Sequence, residues 1–293
     1  MKFDKYKYRE DFVFKDNRIC LTYQGLRKLY KPKKLTGSRI GGVLGSDSYR
    51  TPFQTWCDIM GFFKEDLDPY FLEAGRVIEP KLKEYAELQM GKSFKSYDPP
   101  SIKYDLFSSN DVFGGIPDGE EFDENGNIVS ILEIKTAQLD KYKWIFKDNQ
   151  FRLSTEDGKP VVAQTGGGLV KWFKNGEVLI PESYKDQLSL YLYLRGITVG
   201  YFCVAFLKNE DYANPHSVKF VAPFNKYLND GAVSEEGDHI LIWKKFEIDL
   251  KEFEKKVHTA KKWYEDHVRK AVSPQMTSKD LEWFRYGYPD LEH

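Results

Sequence analysis

The stretch GGIPDGEEFDENGNIVSILEIKTA, residues 114–137, decides most of the predicted fold because it has the pattern of a β-hairpin. Asn125-Gly126 between two strand-like runs is a strong signal for a two-residue hairpin turn. With these residues as the loop, the numbers of opposed residues sum to 251, which places Asp118 directly across from Glu133. A bulge beside Asp118, where a proline and a glycine flank it, would shift this register.

The charged residues of this predicted hairpin form one patch. Side chains alternate along a strand, so Glu133 and Lys135 share a face while Leu132 and Ile134 point the other way. Opposed Cβ atoms lie about 5 Å apart, and two carboxylates at that distance repel each other. A divalent cation between Asp118 and Glu133 removes the conflict, because hard cations take carboxylate oxygens as ligands. The competing interpretation is an ordinary surface Glu–Lys pair beside a turn aspartate.

Length and composition indicate a folded, soluble, intracellular protein. The chain has 293 residues, and its hydrophobic content of 41% is enough for a sizeable core. No apolar run approaches the roughly 18 residues that a membrane span needs. The N-terminus lacks the apolar segment of a secretory signal. The three cysteines, Cys20, Cys57 and Cys203, form no CxxC pair, so we expect no disulfide framework, zinc site or iron–sulfur cluster.

Charge is unevenly distributed along the chain. The net charge is −1, but residues 1–35 hold eleven Lys and Arg against four Asp and Glu, interleaved with Phe and Tyr. Such a lead can contact the phosphates and bases of a nucleic acid. It can equally be a solvated surface, and the pattern leaves both interpretations open.

The predicted elements give a mixed α/β fold with a central sheet flanked by helices. Helices are predicted at 36–45, within 48–61 after a loop, at 69–90, 183–196 and 251–270. Strands are predicted at 93–97, 102–107, 111–116, 128–136, 199–207 and 239–249. Thr36 or Ser38 is expected to cap the first helix and Ser183 a later one.

We predict one domain at 36–290 behind the basic lead 1–35. Residues 137–182 look like an inserted hairpin, arm or long loop within that domain. The last three residues, 291–293, resemble the start of a purification tag.

Several motifs follow one another in a recognisable order. They are Gly37-Ser38-Arg39-Ile40, Val43-Leu44-Gly45, TPFQTW at 51–56, Gly75 to Glu79-Pro80, PDG at 117–119, EIKTA at 133–137, and Gln187 to Tyr191. This series resembles the PD-(D/E)xK nuclease superfamily, and within it the branch of YqaJ-type viral recombinases and phage lambda exonuclease. The resemblance covers about residues 36–207, and the ordered series is more specific than PD…ExK alone.

The resemblance implies a restriction-endonuclease-like core and a set of site residues. Mg²⁺, with Mn²⁺ as a substitute, would be held by Asp118, Glu133, the backbone carbonyl of Ile134, and Glu79. Lys135 would activate the attacking water or steady the charged phosphorane, with support from Gln187 and Tyr191, which share one helix face. Ser38 would grip a DNA phosphate, with Arg39 as a weaker candidate.

The resemblance also implies a Mg²⁺-dependent DNA nuclease, foremost a double-stranded DNA exonuclease in recombination or repair. DNA would be its partner, with a homotrimer and a single-strand annealing protein as further expectations. The location would be the cytoplasm of a bacterium, with a phage or prophage origin allowed. An endonuclease of a defence or repair system is the alternative, and a non-cleaving DNA-binding protein is a third interpretation. The missing cysteine quartet argues against the iron–sulfur branch.

Overall fold

The computed structural model describes residues 3, 5–29, 31–63, 69–147, 150–157, 159–175, 177–221, 232–234 and 239–291. The helices are α1 (Tyr23–Lys28), α2 (Gly37–Leu44), α3 (Pro52–Met60), α4 (Pro69–Met90), α5 (Glu182–Arg195), α6 (Asn209–Ala213), α7 (Leu250–Trp263) and α8 (Ser278–Arg285). Short 3₁₀ turns lie at Leu169–Lys171 and Pro215–Ser217, and a π-helical turn, Tyr264–Arg269, follows α7.

The strands are short except for those of the central sheet. They are β1 (Phe12–Lys15), β2 (Arg18–Leu21), β3 (Gly119–Phe122), β4 (Ile128–Gln138), β5 (Lys141–Tyr142), β6 (Trp144–Lys147), β7 (Gln150–Leu153), β8 (Thr155–Glu156), β9 (Lys159–Pro160), β10 (Val162–Gln164), β11 (Phe173–Lys174), β12 (Glu177–Val178), β13 (Val199–Leu207), β14 (Ala232–Ser234) and β15 (Ile240–Glu247).

A mixed five-stranded sheet forms the centre of the fold, in the order β14-β15-β13-β4-β3. Strands β4 and β13 run parallel, whereas the other neighbours are antiparallel. Helix α4 covers one face through Ile78 and Leu82, and α5 covers the other through Leu188 and Leu192. The predicted mixed α/β fold, with a central sheet flanked by helices, is confirmed.

The hairpin of β3 and β4 has the predicted register but not the predicted turn. Gly119 pairs with Leu132, which keeps the sum of 251, but an irregularity after Glu121 shifts the next pair by one residue. The connection therefore spans residues 123–127, and the prediction of a two-residue loop is wrong. The Asp123 carboxylate accepts two backbone N–H groups of this loop, which stabilises the longer turn.

Three strands predicted before the hairpin are wrong, namely those at 93–97, 102–107 and 111–116. These segments are turns and extended chain, with an isolated bridge between Lys95 and Glu120. The side-chain oxygens of Asp105 and Asn110 accept backbone N–H groups here. These acceptors satisfy amides of the second and third segments locally, while Lys95 of the first pairs with Glu120 and Phe113 bridges to Leu35.

The basic N-terminal lead belongs to a hydrophobic core. Strands β1 and β2 form a hairpin in which Phe12 is fully buried, and Tyr6 is buried beside it. The ring of Phe12 lies 5.3 Å from that of Phe62 and 6.0 Å from that of Phe284 on α8. The lead thus joins the two ends of the chain, and these buried rings cannot stack on bases. Leu291 lies in the same core.

Helix boundaries follow the predictions more closely than helix caps do. Helix α4 spans the predicted 69–90. Thr36 is the N-cap residue of α2, but its hydroxyl bonds that of Ser38 instead of a free amide. Pro181 precedes α5, so Ser183 lies inside the helix and does not cap it. In the described residues no helix has the length and apolar character that crossing a membrane requires.

The segment between β4 and α5, residues 139–180, forms a surface arm of small antiparallel pairs. They are β5 with β10, β6 with β7, β8 with β9, and β11 with β12. The last part of the arm is anchored to the domain by Trp172, which is buried, stacks on Tyr184 of α5 and meets Phe206 of β13 edge-on.

Candidate active site

Glu133 is the centre of the candidate site. It lies on β4, is 0% exposed, and faces α5, whereas its neighbours Leu132 and Ile134 pack on the α4 side. Its Oε1 atom accepts hydrogen bonds from Lys135 Nζ and, at 2.5 Å, from Gln187 Nε2. Its Oε2 atom is buried without a hydrogen-bond partner among the described residues. Oε1 is therefore fixed by two hydrogen bonds, whereas Oε2 could act as a ligand for a cation.

Asp118 lies immediately before β3, at the edge of the sheet. Extending the register of Gly119 and Leu132 by one residue places Asp118 opposite Glu133, as predicted. Its Oδ2 atom accepts the N–H of Ile134 at 2.7 Å. In a strand the N–H and C=O of one residue point to the same neighbour, so the Ile134 carbonyl points to the Asp118 side.

The pKa values of these groups reflect burial and mutual repulsion. Burial raises the pKa of Glu133 to about 8; Lys135 opposes the rise, and the carboxylates of Asp118 and Glu79 add to it. Burial also raises the pKa of Asp118, against the pull of Lys135 and of its backbone hydrogen bond. Burial lowers the pKa of Lys135, but Glu133 and Asp118 more than offset this, so its net pKa is raised and the amine holds its proton.

Glu79 approaches this group from α4, which packs on the other face of the sheet. The residue as a whole is exposed, but its carboxyl group lies close enough to Asp118 and Lys135 to interact with their charges. Desolvation, followed by repulsion from Asp118, raises the pKa of Glu79 to about 7. The predicted acidic residues are thus coupled electrostatically.

Helix α5 supports the site with a face at 184, 187 and 191. Tyr191 is buried, its hydroxyl bonds the backbone of Gly37 at the start of α2, and its ring stacks on Phe107. Gly115, at φ +126°, makes room for it, because a Cβ there would lie 2.6 Å from the Tyr191 hydroxyl. Gln187 and Tyr191 therefore lie where the sequence places them, against Glu133 and behind it.

The two predicted phosphate contacts differ in their surroundings. Ser38 is exposed in the first turn of α2. The Arg39 guanidinium donates to Asp58 at 2.7 Å and is mostly covered, and Lys33 donates to the same carboxylate at 2.7 Å. Arg39 is thus committed to an internal ion pair, and Ser38 is open to solvent.

Two neighbours of the site were not predicted from the sequence. The ring of Tyr184 lies 5.2 Å from Lys135 Nζ, and its position three residues before Gln187 on one helix face is the signal that could have found it. Glu120 is 0% exposed and bonds Arg195 at 2.7 and 3.2 Å and Tyr97 at 2.5 Å. No local sequence pattern joins those three residues.

The donors present fit a hard divalent cation bound partly by protein. Within the described residues no three His, Cys, Asp or Glu side chains converge closely enough to form a ready-made metal cage. Mg²⁺ does not require one, since it is commonly bound through one or two carboxylates together with waters and substrate phosphates. The partnerless Oε2 of Glu133, the facing Asp118 and the Ile134 carbonyl supply hard oxygen donors of this kind.

Comparisons with known proteins give relatives at the level of sequence. No family model matches the chain. It is 39% identical over 288 residues to the uncharacterized protein MG373 of Mycoplasma genitalium, covering 95% of this chain and 96% of that protein. The MG373 homolog of Mycoplasma pneumoniae is 38% identical over 288 residues, with the same coverage of both chains.

Two solved structures are similar in outline. An alkaline exonuclease (LHK-Exo) from Laribacter hongkongensis has a TM-score of 0.45 and 12% identity, over 88% of this chain and 95% of that one. A phage related exonuclease from Haemophilus somnus 129PT has a TM-score of 0.45 and 13% identity, over 84% and 100%. TM-scores of this size carry no conclusion about the fold or activity of this chain.

Proposed function

We propose that this chain, which belongs to the family of the mycoplasma protein MG373, is a metal-dependent nuclease that hydrolyses phosphodiester bonds in DNA. The observation that carries the proposal is Glu133, a fully buried carboxylate with one oxygen held by Lys135 and Gln187 and the other without a partner in the described residues. An isolated buried charge is costly, and coordination of a cation offsets that cost.

Asp118, Glu133 and the Ile134 carbonyl would hold Mg²⁺, with Glu79 joining directly or through water. Mn²⁺ would substitute, because it accepts the same oxygen ligands. A bound Mg²⁺ supplies Lewis-acid polarisation of the scissile phosphate and makes a hydroxide-like nucleophile accessible at neutral pH. These are the two requirements of phosphodiester hydrolysis.

The remaining site residues would orient the metal ligands or contact negative charge on the DNA. Lys135 donates to Glu133 Oε1 and would orient the attacking water or stabilise the charged phosphorane. Gln187 fixes the orientation of Glu133 by donating to Oε1. Tyr191 joins α5 to the start of α2, where exposed Ser38 would contact a DNA phosphate. Arg39 would contribute to that contact only after leaving Asp58.

Within this activity we favour an exonuclease that degrades double-stranded DNA in recombination or repair. Support comes from the ordered motif series between Gly37 and Tyr191. The homotrimer, the single-strand annealing partner and the cytoplasmic location belong to the same proposal. The competing endonuclease uses the same metal site, so a substrate without ends separates the two. Degradation of linear duplex with closed circular DNA left intact would support the exonuclease.

The test of the proposal is metal-dependent cleavage by the purified protein. We expect hydrolysis of labelled duplex DNA in Mg²⁺ or Mn²⁺, none in EDTA, and loss of cleavage in Asp118→Asn. Glu124→Gln, an exposed carboxylate in the loop of the same hairpin, is the matched control and should cleave normally. Unchanged degradation by Asp118→Asn would refute the site. A protein that binds DNA without cleaving it under any of these metals would be a DNA-binding protein on this fold.

A further inference from the structure

Tyr49, in the loop after α2, meets Lys171 of the arm although 122 residues separate them in the sequence. The Lys171 ammonium group lies 4.0 Å from the centroid of the Tyr49 ring. Tyr49 is 80% exposed, and Val170 beside the lysine is 68% exposed. Because the ring and the apolar side chain are both exposed, they contribute little to the core and are accessible to a ligand.

A continuous row of side chains links this pair to the acidic centre. Lys135, which bonds Glu133, lies with its Nζ 5.2 Å from the centroid of the Tyr184 ring. Tyr184 stacks on Trp172, the residue that follows Lys171, with ring centroids 5.4 Å apart. Tyr184 also lies within electrostatic range of Tyr49, Lys171 and Asp47.

The pair is held at a fixed position relative to the site. Gly168 packs so tightly on the end of β4 that a Cβ there would lie 1.8 Å from the carbonyl oxygen of Gln138. Its N–H donates to the carbonyl of Leu139 at 2.9 Å. On the other side of the pair, the Asp47 carboxylate accepts the backbone N–H of Tyr49 at 2.8 Å. Backbone contacts therefore fix the chain close to both Tyr49 and Lys171.

We propose that Tyr49 and Lys171 form a contact site for one strand of nucleic acid beside the catalytic centre, with a base stacked on Tyr49 and a phosphate bound by Lys171. The inference rests on the proposed nuclease function. A nucleotide presents a flat base and an anionic phosphate together, and this pair presents a ring face and a cation together. The negative charge of Asp47 would repel a phosphate, so the phosphate binds on the lysine side of the ring. Stacking accepts every base, which suits a contact without sequence preference.

Binding of a fluorescein-labelled single-stranded oligodeoxynucleotide in EDTA tests the ring without cleavage. Loss of one base stack weakens binding roughly 5- to 150-fold, so we expect a change of this size for Tyr49→Ala in fluorescence anisotropy. Tyr49→Phe should bind normally because it keeps the ring face. Tyr23→Ala, which removes a ring that is 78% exposed on α1, is the matched control. Equal affinities for Tyr49→Ala and Tyr23→Ala would overturn the stacking role.

Two further readouts distinguish direct contact from a structural effect. An oligonucleotide of abasic units should bind the unmodified chain and Tyr49→Ala equally, and a persisting difference would contradict stacking. Lys171→Gln should reduce the slope of log affinity against log salt by about 0.7, and Lys171→Arg should restore it. Lys261→Gln, on the exposed face of α7, should leave the slope unchanged. A slope unaffected by Lys171→Gln would remove the phosphate contact.

These outcomes separate the inference from the function on which it rests. If Asp118→Asn abolishes cleavage while the Tyr49 and Lys171 variants bind like the unmodified chain, this contact site is wrong and the nuclease stands. If the unmodified chain neither binds nor cleaves nucleic acid, both proposals are refuted. Melting temperatures of the variants should match the unmodified chain, because both side chains are exposed.

Discussion

Glu120 and Glu133 lie close together on neighbouring strands and are both 0% exposed, yet they differ in how their charge is satisfied. Both oxygens of Glu120 are bonded, by the fork of Arg195 and by the Tyr97 hydroxyl. Among the residues that the structure describes, partners bond only Oε1 of Glu133, and burial is the main cause that raises its pKa to about 8. Burial alone therefore does not distinguish these two carboxylates, whereas the missing partner of Glu133 Oε2 among the described residues does.

Replacement of either glutamate should change the rate of DNA cleavage by very different factors. Glu133→Gln should lower the rate of DNA cleavage about 10³-fold or more, since it removes several kcal/mol of charge stabilisation at the metal site. Glu120→Gln should lower the rate per folded molecule by less than about tenfold. Single-turnover cleavage of labelled duplex at saturating Mg²⁺ measures both. Similar losses in the two variants would show that the distinction between the carboxylates is wrong.

The next effect concerns stability. Arg195→Met leaves Glu120 buried without its cation, and we expect a loss of about 3–5 kcal/mol in the free energy of unfolding. Lys245→Met, which removes an exposed ion pair with Glu247, should cost much less because solvent screens that pair. Urea unfolding at pH 7 compares the two. A loss for Arg195→Met no greater than for the control would mean that the Glu120 cluster does not hold the sheet edge.

The stability of the protein should depend on pH through the carboxyl groups of the candidate site. The pKa values of Glu133 and Glu79 are raised to about 8 and about 7 in the folded protein. The folded state therefore binds these protons more tightly than the unfolded state does. Stability in EDTA should therefore fall as pH rises from about 5 to about 8. Most of the fall should come from the buried Glu133, because solvent screens the exposed Glu79.

Thermal melting in EDTA across this pH range, with Glu133→Gln in parallel, measures the effect. The difference between the two proteins isolates Glu133 from every other titrating group, and the variant should show the flatter profile. Added Mg²⁺ should stabilise the unmodified chain more at pH 8 than at pH 6. If the stability of the metal-free unmodified chain falls with pH no faster than that of Glu133→Gln, the pKa of Glu133 is not raised as stated.

The smallest effect tests the half of Glu133 that is already held. Gln187→Ala removes the amide that donates to Oε1, and residues in this supporting role typically contribute 10- to 100-fold. We expect kcat to fall by about that factor with KM little changed. Gln24→Ala, an exposed glutamine on α1, is the control. A fall in affinity for DNA with kcat unchanged would instead assign Gln187 to substrate binding.

Much of the site could be predicted from the sequence because its main features are local. The register that sets Asp118 against Glu133 depends on a single hairpin, and the alternation along β4 places Lys135 beside Glu133. The register held even though the two-residue turn is wrong, because two deviations cancel. Phe122 pairs with Ile128, a sum of 250, and the one residue skipped on β4 restores the sum of 251 from Glu121 onward. Helical spacing likewise placed Gln187 and Tyr191 on one face.

What the sequence could not supply are contacts between distant segments. The bond between Arg195 and Glu120 spans 75 residues, and no spacing rule connects them. For the basic lead the sequence left nucleic-acid contact and a solvated surface both open, but Phe12 packs on Phe284 near the other end of the chain. The wrong strands at 102–107 and 111–116 failed for a local reason, since the Asp105 side chain accepts backbone amides that a strand would use.

The tight packing of Gly168 on the end of β4 has a consequence for how this protein can change over time. The part of the arm before Gly168 is joined to the domain at the end of β4, at this glycine, and through Tyr142, which is buried in the same core cluster as Leu132 and Ile134. Its outer hairpins can therefore change in length without disturbing the geometry around Glu133, as long as the packing of Tyr142 is kept.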